Sequence, residues 1–175
     1  MNKVAASLLA VGFCFWLPAP VDSEPMGSGW TVEAVTRACP TPAVLGEFLH
    51  QHIRFSDDAV SRGVPDYWQT PEESLERGEG DCEDYALLAQ EVFQRQGVEA
   101  FLFSLYGKDG YAHTVCVFLE GSFYSLMNQD RVVHLQARSL EELAGFLYRR
   151  WTWGAVAERV GSRGQAIRRI FNRPE

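Results

Sequence analysis

A cysteine lies where a glycine-rich turn meets the start of a predicted helix. Residues 78–85 read GEGDCEDY, and apolar residues recur at helical spacing after Cys82. The first turn of a helix presents unsatisfied backbone N–H groups and a partial positive charge, which favour a thiolate over a thiol. The same N–H groups can stabilise an oxyanion during acyl transfer. This placement predicts that Cys82 is a nucleophile.

A nucleophilic thiol needs a base, and His113 is the predicted one. It lies within YAHTV, in the middle strand of a predicted three-stranded sheet. Side-chain alternation puts His113, Val115 and Val117 on one face, which we expect to pack on the helix that begins at Cys82. A helix-start thiol and a strand imidazole can then form a thiolate–imidazolium pair. The other histidines lie on an early helix or near a predicted sheet edge: His50, His52 and His134.

A third group should orient the imidazole through its other ring nitrogen. On the next strand Asn128 is the predicted orienter, and Asp130 is its rival. Asn128 would act as the asparagine does in Cys-His-Asn enzymes, where the thiol and the imidazole already form an ionic pair. Trp68 or Gln69 could line the site or donate a hydrogen bond to the oxyanion.

Acidic residues crowd the predicted nucleophile, and nearby negative charge disfavours a thiolate. The neighbours of Cys82 are Asp81, Glu83 and Asp84. One interpretation is that they are ordinary helix-start carboxylates that point away from the thiol. The other is a calcium site that they form with acids of the preceding loop. The loop acids available for it include Asp57, Asp58 and Asp66.

Capping signals predict the helices. Thr41-Pro42 precedes an apolar stripe that ends at Ile53, and Gly97 is a favoured helix stop after residues 82–96. Two further helices begin with capping boxes. These run from Thr70 to Gly78 and from Ser139 to about Tyr148. Residues 54–69, which lie between Ile53 and the capping box at Thr70, have the composition of a loop. Residues 78–81, which precede Cys82, have the composition of a tight turn.

The middle of the chain changes from helical to alternating periodicity, which predicts strands rich in aromatic and β-branched residues. The expected strands are 98–106, 111–119 and 122–127, with a fourth at 131–135. Short Asp-Gly and Glu-Gly turns join the first three, so an antiparallel meander is expected. Helices followed by a sheet indicate an α+β fold. We expect the remainder, from residue 149, to be helical.

The first residues have the layout of a secretory signal peptide. Lys3 precedes an apolar run over 4–17, and a cleavage point is expected near 21–23. Removal of residues 1–23 would leave one domain over 24–148 and a C-terminal segment, 149–175, of uncertain role. The protein is then expected to be periplasmic or secreted, or membrane-anchored if the leader stays attached.

Export leaves three cysteines in an oxidising compartment, where three thiols in one chain cannot all pair. We expect Cys82 to stay free, and any disulfide to join Cys39 to Cys116. The composition, with 46% hydrophobic and 13% aromatic residues over 175 positions, suits a packed core.

The net charge of −7 hides an asymmetry. Residues 57–91 hold eleven acids against two arginines, whereas seven arginines follow from Arg149 onward against two acids. Nucleic acid is not an expected partner, because an exported protein leaves the compartment that holds it. A solvated face, or peripheral contact between the arginine-rich C-terminus and an anionic envelope surface, fits better.

The run YWQTPEE at residues 67–73, which leads into GDCEDYA at 80–86, resembles the bacterial transglutaminase-like cysteine proteinases. So does His113 on a following strand. The resemblance covers about residues 40–130. It implies a papain-like α+β fold in which the nucleophile helix packs on a small antiparallel sheet.

The resemblance also implies a triad at Cys82, His113 and Asn128, although many members carry aspartate at the third position. It implies peptide or amide bonds as substrates. Some periplasmic members depend on calcium held by acids flanking the nucleophile. The corresponding residues here are Asp81, Glu83 and Asp84.

These observations favour an exported thiol hydrolase that acts on peptide or protein substrates of the cell envelope. No cofactor is required by this chemistry, and calcium is the candidate ion. Transfer of the acyl group to an amine is an open variant. The alternative is a non-catalytic module that binds envelope peptides or proteins. A structural metal site at Cys82, His113 and Cys116 is disfavoured, because residues three apart on a strand face opposite sides.

Overall fold

The computed structural model describes residues 29–159 and 165–173. Within them the helices are α1 (Val32–Ala38), α2 (Pro42–His52), α3 (Asp58–Ser61), α4 (Pro71–Arg77), α5 (Cys82–Arg95) and α6 (Leu140–Leu147). The strands are β1 (Arg54–Phe55), β2 (Glu79–Gly80), β3 (Ala100–Gly107), β4 (Ala112–Glu120), β5 (Phe123–Asn128), β6 (Arg131–Ala137), β7 (Trp151–Arg159) and β8 (Gln165–Asn172). The expected signal peptide lies outside the described residues. Over the part that is described, no helix has the length and apolarity needed to cross a bilayer.

The main sheet has six antiparallel strands in the order β6-β5-β4-β3-β7-β8. Its first four strands along the chain form the predicted meander, including the fourth strand. The α+β class expected from the sequence is confirmed.

The helices start where their capping residues predicted. The Thr41, Thr70 and Ser139 side chains each accept a backbone N–H of the first helical turn. Helix α4 ends at Gly78, whose φ of 62° lies in the left-handed region that glycine adopts without strain. These short-range signals fix the segment that leads into Cys82.

Residues 54–69 and 78–81 are more ordered than the predicted loop and turn. Strand β1 pairs in parallel with β2, and α3 follows β1. The pairing ties the stretch before the nucleophile to the end of α2, because Arg54 N donates to Gly78 O at 2.8 Å.

The sheet separates two apolar clusters. Helix α5 packs on the face that presents Leu102, Cys116 and Phe118, whereas Val115 and Val117 lie in the cluster on the α6 side. The expectation that Val115 and Val117 pack on the nucleophile helix is therefore wrong. Alternation showed which residues share a face, but the choice of helix for each face depends on contacts distant in sequence.

The prediction of a helical C-terminal remainder is also wrong. Strand β7 pairs with β3 and β8 pairs with β7, so the segment continues the sheet of the predicted domain. A Cβ placed at Gly154 would lie 2.8 Å from the ring of Phe103, which shows how closely β7 packs. Arginine suits helices by intrinsic propensity, but the open edge of β3 overrides that preference.

The three cysteines of the described residues are free thiols. Cys82 is thus free as predicted, and the suggested Cys39–Cys116 disulfide is absent. Both of those thiols are buried among apolar side chains.

Candidate active site

A cleft of about 460 Å³ opens at the N-terminal end of α5. Its walls come from the loop before α4, from the start of α5, from β3 and β4, and from the turn after β5. The lining residues are Phe55, Asp57, Pro65, Asp66, Trp68, Asp81, Cys82, Glu83, Tyr106, Ala112, His113, Thr114 and Gln129. The cleft thus brings together the predicted nucleophile, at the start of α5, and the predicted base, on β4.

Cys82 is the first residue of α5, as the sequence indicated. Its Sγ donates a hydrogen bond to Glu83 Oε2 at 3.1 Å. Burial raises the pKa of the Cys82 thiol, and the negative charge of Glu83 raises it further. The backbone N–H of Thr114 acts in the opposite direction. Together these effects favour the protonated thiol over the thiolate.

His113 contacts Asn128 directly. The distance from His113 Nε2 to Asn128 Oδ1 is 2.8 Å. An amide oxygen only accepts, so Nε2 is the donor and Nδ1 is left to take a proton. Burial lowers the pKa of His113, and the hydrogen bond to Asn128 raises it in part. The arrangement is that of an oriented, neutral imidazole.

Asp130, the rival orienter, is engaged elsewhere. Its Oδ2 lies 2.7 Å from Nδ1 of His50 on α2. Of the two candidates for the third position, Asn128 is the one that contacts His113. The His50–Asp130 pair joins residues that lie 80 positions apart in the sequence, and no local signal reveals it.

Gln69 and Asp84 form a buried strut behind the nucleophile. The Gln69 backbone N–H donates to Asp84 Oδ1 at 2.8 Å, and its side-chain amide donates to Asp84 Oδ2 and to Glu79 O. Asp84 Oδ2 also accepts the Asp81 N–H at 3.2 Å. The Gln69 amide thus braces the start of α5 and is not directed at an oxyanion. Trp68 lines the cleft, and its indole N–H donates to Asp66 at 3.1 Å.

Two overlapping groups of acids could hold a cation. In each group the ligand atoms lie within 4.8 Å of one another. Asp81, Cys82 and Glu83 form one, and Asp58, Asp66 and Glu83 form the other. Asp84 belongs to neither group, and both its oxygens accept N–H hydrogen bonds. The structure therefore directs Asp84, one of the three predicted calcium ligands, into the strut.

The chemistry of this acid group fits a cation. Asp58 Oδ1 and Asp81 Oδ1 are buried with no hydrogen-bond partner. Burial, with mutual repulsion, raises the pKa of Asp81 to about 9, and burial raises that of Glu83 to about 7. Carboxylate oxygens are the ligands that calcium prefers, and a bound cation would stabilise these buried carboxylates in their charged form.

The profile of the transglutaminase-like domain family matches residues 39–144. The chain belongs to this family. The matched range runs from the end of α1 to α6 and contains both Cys82 and His113. Recognition of this group from the motif around Cys82 is confirmed.

Solved structures with a similar chain path include LapG of Legionella pneumophila in its calcium-bound form. That protein is 18% identical, with a TM-score of 0.47, over 73% of this chain and 67% of its own. An EGTA-treated LapG structure gives 19% identity and a TM-score of 0.46, over 79% of this chain and 68% of its own. A protein of Cytophaga hutchinsonii, described as a candidate cysteine protease, gives 9% identity and 0.44, over 81% of this chain and 50% of its own. No curated protein matches the sequence.

Proposed function

We propose that the protein is an exported thiol hydrolase that cleaves peptide or amide bonds. Cys82 is the nucleophile, His113 the acid–base residue and Asn128 its orienter. The observation that carries the proposal is the hydrogen bond of 2.8 Å between His113 Nε2 and Asn128 Oδ1. His113 lines the same cleft as Cys82. A neutral histidine held in one tautomer, in the same cleft as a helix-start thiol, is the arrangement that thiol hydrolases need.

The first half-reaction forms a thioester. His113 Nδ1 takes the proton of the Cys82 thiol, and the sulfur attacks the carbonyl carbon of the substrate. Backbone N–H groups at the start of α5 stabilise the oxyanion. The C–N bond then breaks, and the imidazolium gives its proton to the departing amine.

The second half-reaction releases the acid. His113 takes a proton from a water molecule, whose oxygen attacks the thioester carbon. The C–S bond breaks, and the proton returns to the sulfur to regenerate the thiol. An amine in place of water would give transamidation by the same steps.

Calcium is part of the proposal. Asp58, Asp66, Asp81 and Glu83 would hold the ion, and its charge would offset the carboxylates that add to the effect of burial in raising the pKa of the Cys82 thiol. Of these residues, Glu83 contacts the thiol directly. The residues that act on the substrate remain Cys82 and His113.

We further propose that the substrate is a peptide or protein of the cell envelope and that the protein works in the periplasm or outside the cell. The apolar run that follows Lys3 supports export. Exposed arginines on and just after β8, among them Arg169 and Arg173, support peripheral contact with an anionic surface.

The test is cleavage of a proteome-derived peptide library, read by mass spectrometry as new N-termini, in calcium and in EGTA. We expect new termini from the wild type and none from Cys82→Ala or His113→Ala. Cys39→Ala is the matched control, because it removes a buried thiol that does not line the cleft, and this variant should still cleave. A labelled primary amine in the same reactions separates hydrolysis from transamidation. No cleavage in either buffer, with peptides retained on the immobilised protein, would favour the binding-module alternative.

A further inference from the structure

We infer that helix α2 positions Asn128 by clamping the turn between β5 and β6; the inference rests on the proposed role of Asn128. The clamp consists of Gly46 and His50 on α2 and Asp130 on the turn. Its residues touch neither the thiol nor the imidazole, so they act through Asn128.

The turn itself is strained. Asn128 pairs with Arg131, so only Gln129 and Asp130 connect the two strands. Gln129 has a φ of 55°, and it is the single non-glycine residue with positive φ in the part of the chain that the structure describes. A side chain in this left-handed region costs roughly 1–2 kcal/mol, so contacts outside the turn must hold it there.

Helix α2 supplies those contacts at two points. His50 Nδ1 lies 2.7 Å from Asp130 Oδ2. On the same face of the helix one turn earlier, a Cβ added to Gly46 would lie 2.6 Å from the carbonyl oxygen of Asp130. The helix therefore fixes both the side chain and the backbone of Asp130, and the close approach excludes any side chain at residue 46.

The strained turn follows directly after the orienting residue. Asn128 is the last residue of β5, and Gln129 lines the cleft with Cys82 and His113. The His113–Asn128 hydrogen bond of 2.8 Å leaves little room for movement, because N–H···O bonds in proteins span only about 2.7–3.2 Å and weaken steeply when they lose alignment. A turn released from α2 would move Asn128 Oδ1 out of reach of Nε2.

Loss of the His50 side chain alone is expected to change the geometry of the turn while the fold stays intact. The His50 side chain is 71% exposed, and pairs at such exposed sites contribute little to folding. His134 offers a matched control, since it also pairs with a surface acid, Glu120, at 2.9 Å and is 62% exposed.

The first experiment reads the tautomer of His113 by ring nitrogen NMR on histidine-labelled protein. The wild type and His134→Ala should hold the Nε2–H tautomer, whereas His50→Ala should show a mixture of tautomers. In a Gln129→Gly background, where glycine removes the strain, His50→Ala should have a smaller effect. Unchanged His113 signals in His50→Ala would overturn the inference. This readout needs no catalysis, so it decides the clamp even if the proposed function fails.

The second experiment is a double-mutant cycle on the alkylation rate of Cys82. We expect His50→Ala to slow labelling on the order of tenfold, and to add nothing in an Asn128→Ala background. Equal and additive losses in both backgrounds would contradict action through Asn128. Equal labelling of the wild type and His113→Ala would instead reject the proposed function, and the tautomer result would still stand on its own.

Discussion

Removal of the Asp84 carboxylate should destabilise the protein measurably. Asp84 is 0% exposed and accepts three N–H groups, two from Gln69 and one from Asp81. Asp84→Ala leaves these donors without an acceptor in a place that water cannot easily reach. Gln69 itself is 1% exposed, so its two donors carry most of the loss.

The magnitude follows from two opposing effects. An unsatisfied buried donor costs about 1–3 kcal/mol, which gives roughly 3–9 kcal/mol for the three donors that Asp84 accepts. Against this, burial raises the pKa of Asp84 to about 6, so the wild type already bears the cost of a buried charge at neutral pH. The rise in pKa from 3.8 to about 6 corresponds to about 3 kcal/mol, so we expect a net loss centred on about 3 kcal/mol in the free energy of unfolding at pH 7.5.

The loss should grow at lower pH. The folded-state pKa of about 6 lies above the ordinary value of 3.8, so the folded wild type binds a proton more tightly than the unfolded chain. The stability that the Asp84 carboxyl adds to the folded wild type is therefore present below pH 4 and is lost as the pH rises through 6. Asp84→Ala lacks that contribution, and the gap between the proteins should widen by about 1 kcal/mol at pH 5.

The assay is urea unfolding in EGTA at pH 7.5 and pH 5. The control is Glu91→Ala on the same helix, which removes an exposed pair with Arg95 and should change stability little. A loss no larger than that of the control, or a gap that narrows at pH 5, would refute the reasoning about the strut.

Three further predictions address other parts of the site and fold. First, the NMR titration midpoint of His113 should lie below 6.5 and fall further in Asn128→Ala, because burial lowers its pKa and the lost hydrogen bond had favoured the charged ring; an upward shift would contradict this. Second, Asp66→Asn should weaken calcium binding on the order of tenfold or more, as measured by calorimetry. Asp57→Asn should not weaken it, because Asp57 lies outside both acid groups. Equal effects of the two substitutions would mean that the calcium site is not formed by these groups. Third, Gly154→Ala should cost about 1–3 kcal/mol in thermal unfolding, because the added methyl meets a ring of β3 at 2.8 Å; a neutral result would mean that β7 is not packed as described.

Local signals were enough to predict the segment that carries the nucleophile. The Thr70 capping box, the left-handed Gly78 and the apolar period after Cys82 all act within one or two helical turns. The meander was predictable for the same reason, since short glycine turns join strands that are adjacent in sequence.

Features that depend on distant pairing were not predictable. The helical prediction for the arginine-rich end failed because β7 pairs with the edge of β3, a strand about fifty residues earlier in the chain. The face assignment of Val115 failed because α6, which covers it, comes later in the chain. The engagement of Asp130 by His50 likewise depends on α2 meeting a distant turn.

The measurement that tests the account most directly is the alkylation rate of Cys82 by iodoacetamide from pH 4 to 9, in calcium and in EGTA, for the wild type and His113→Ala. Site assignment by mass spectrometry separates Cys82 from the buried Cys39 and Cys116. We expect fast labelling at low pH in calcium, slower labelling in EGTA and a collapse of the rate in His113→Ala. Slow labelling with an ordinary thiol profile, indifferent to both calcium and His113, would contradict the claim that Cys82 is an activated nucleophile.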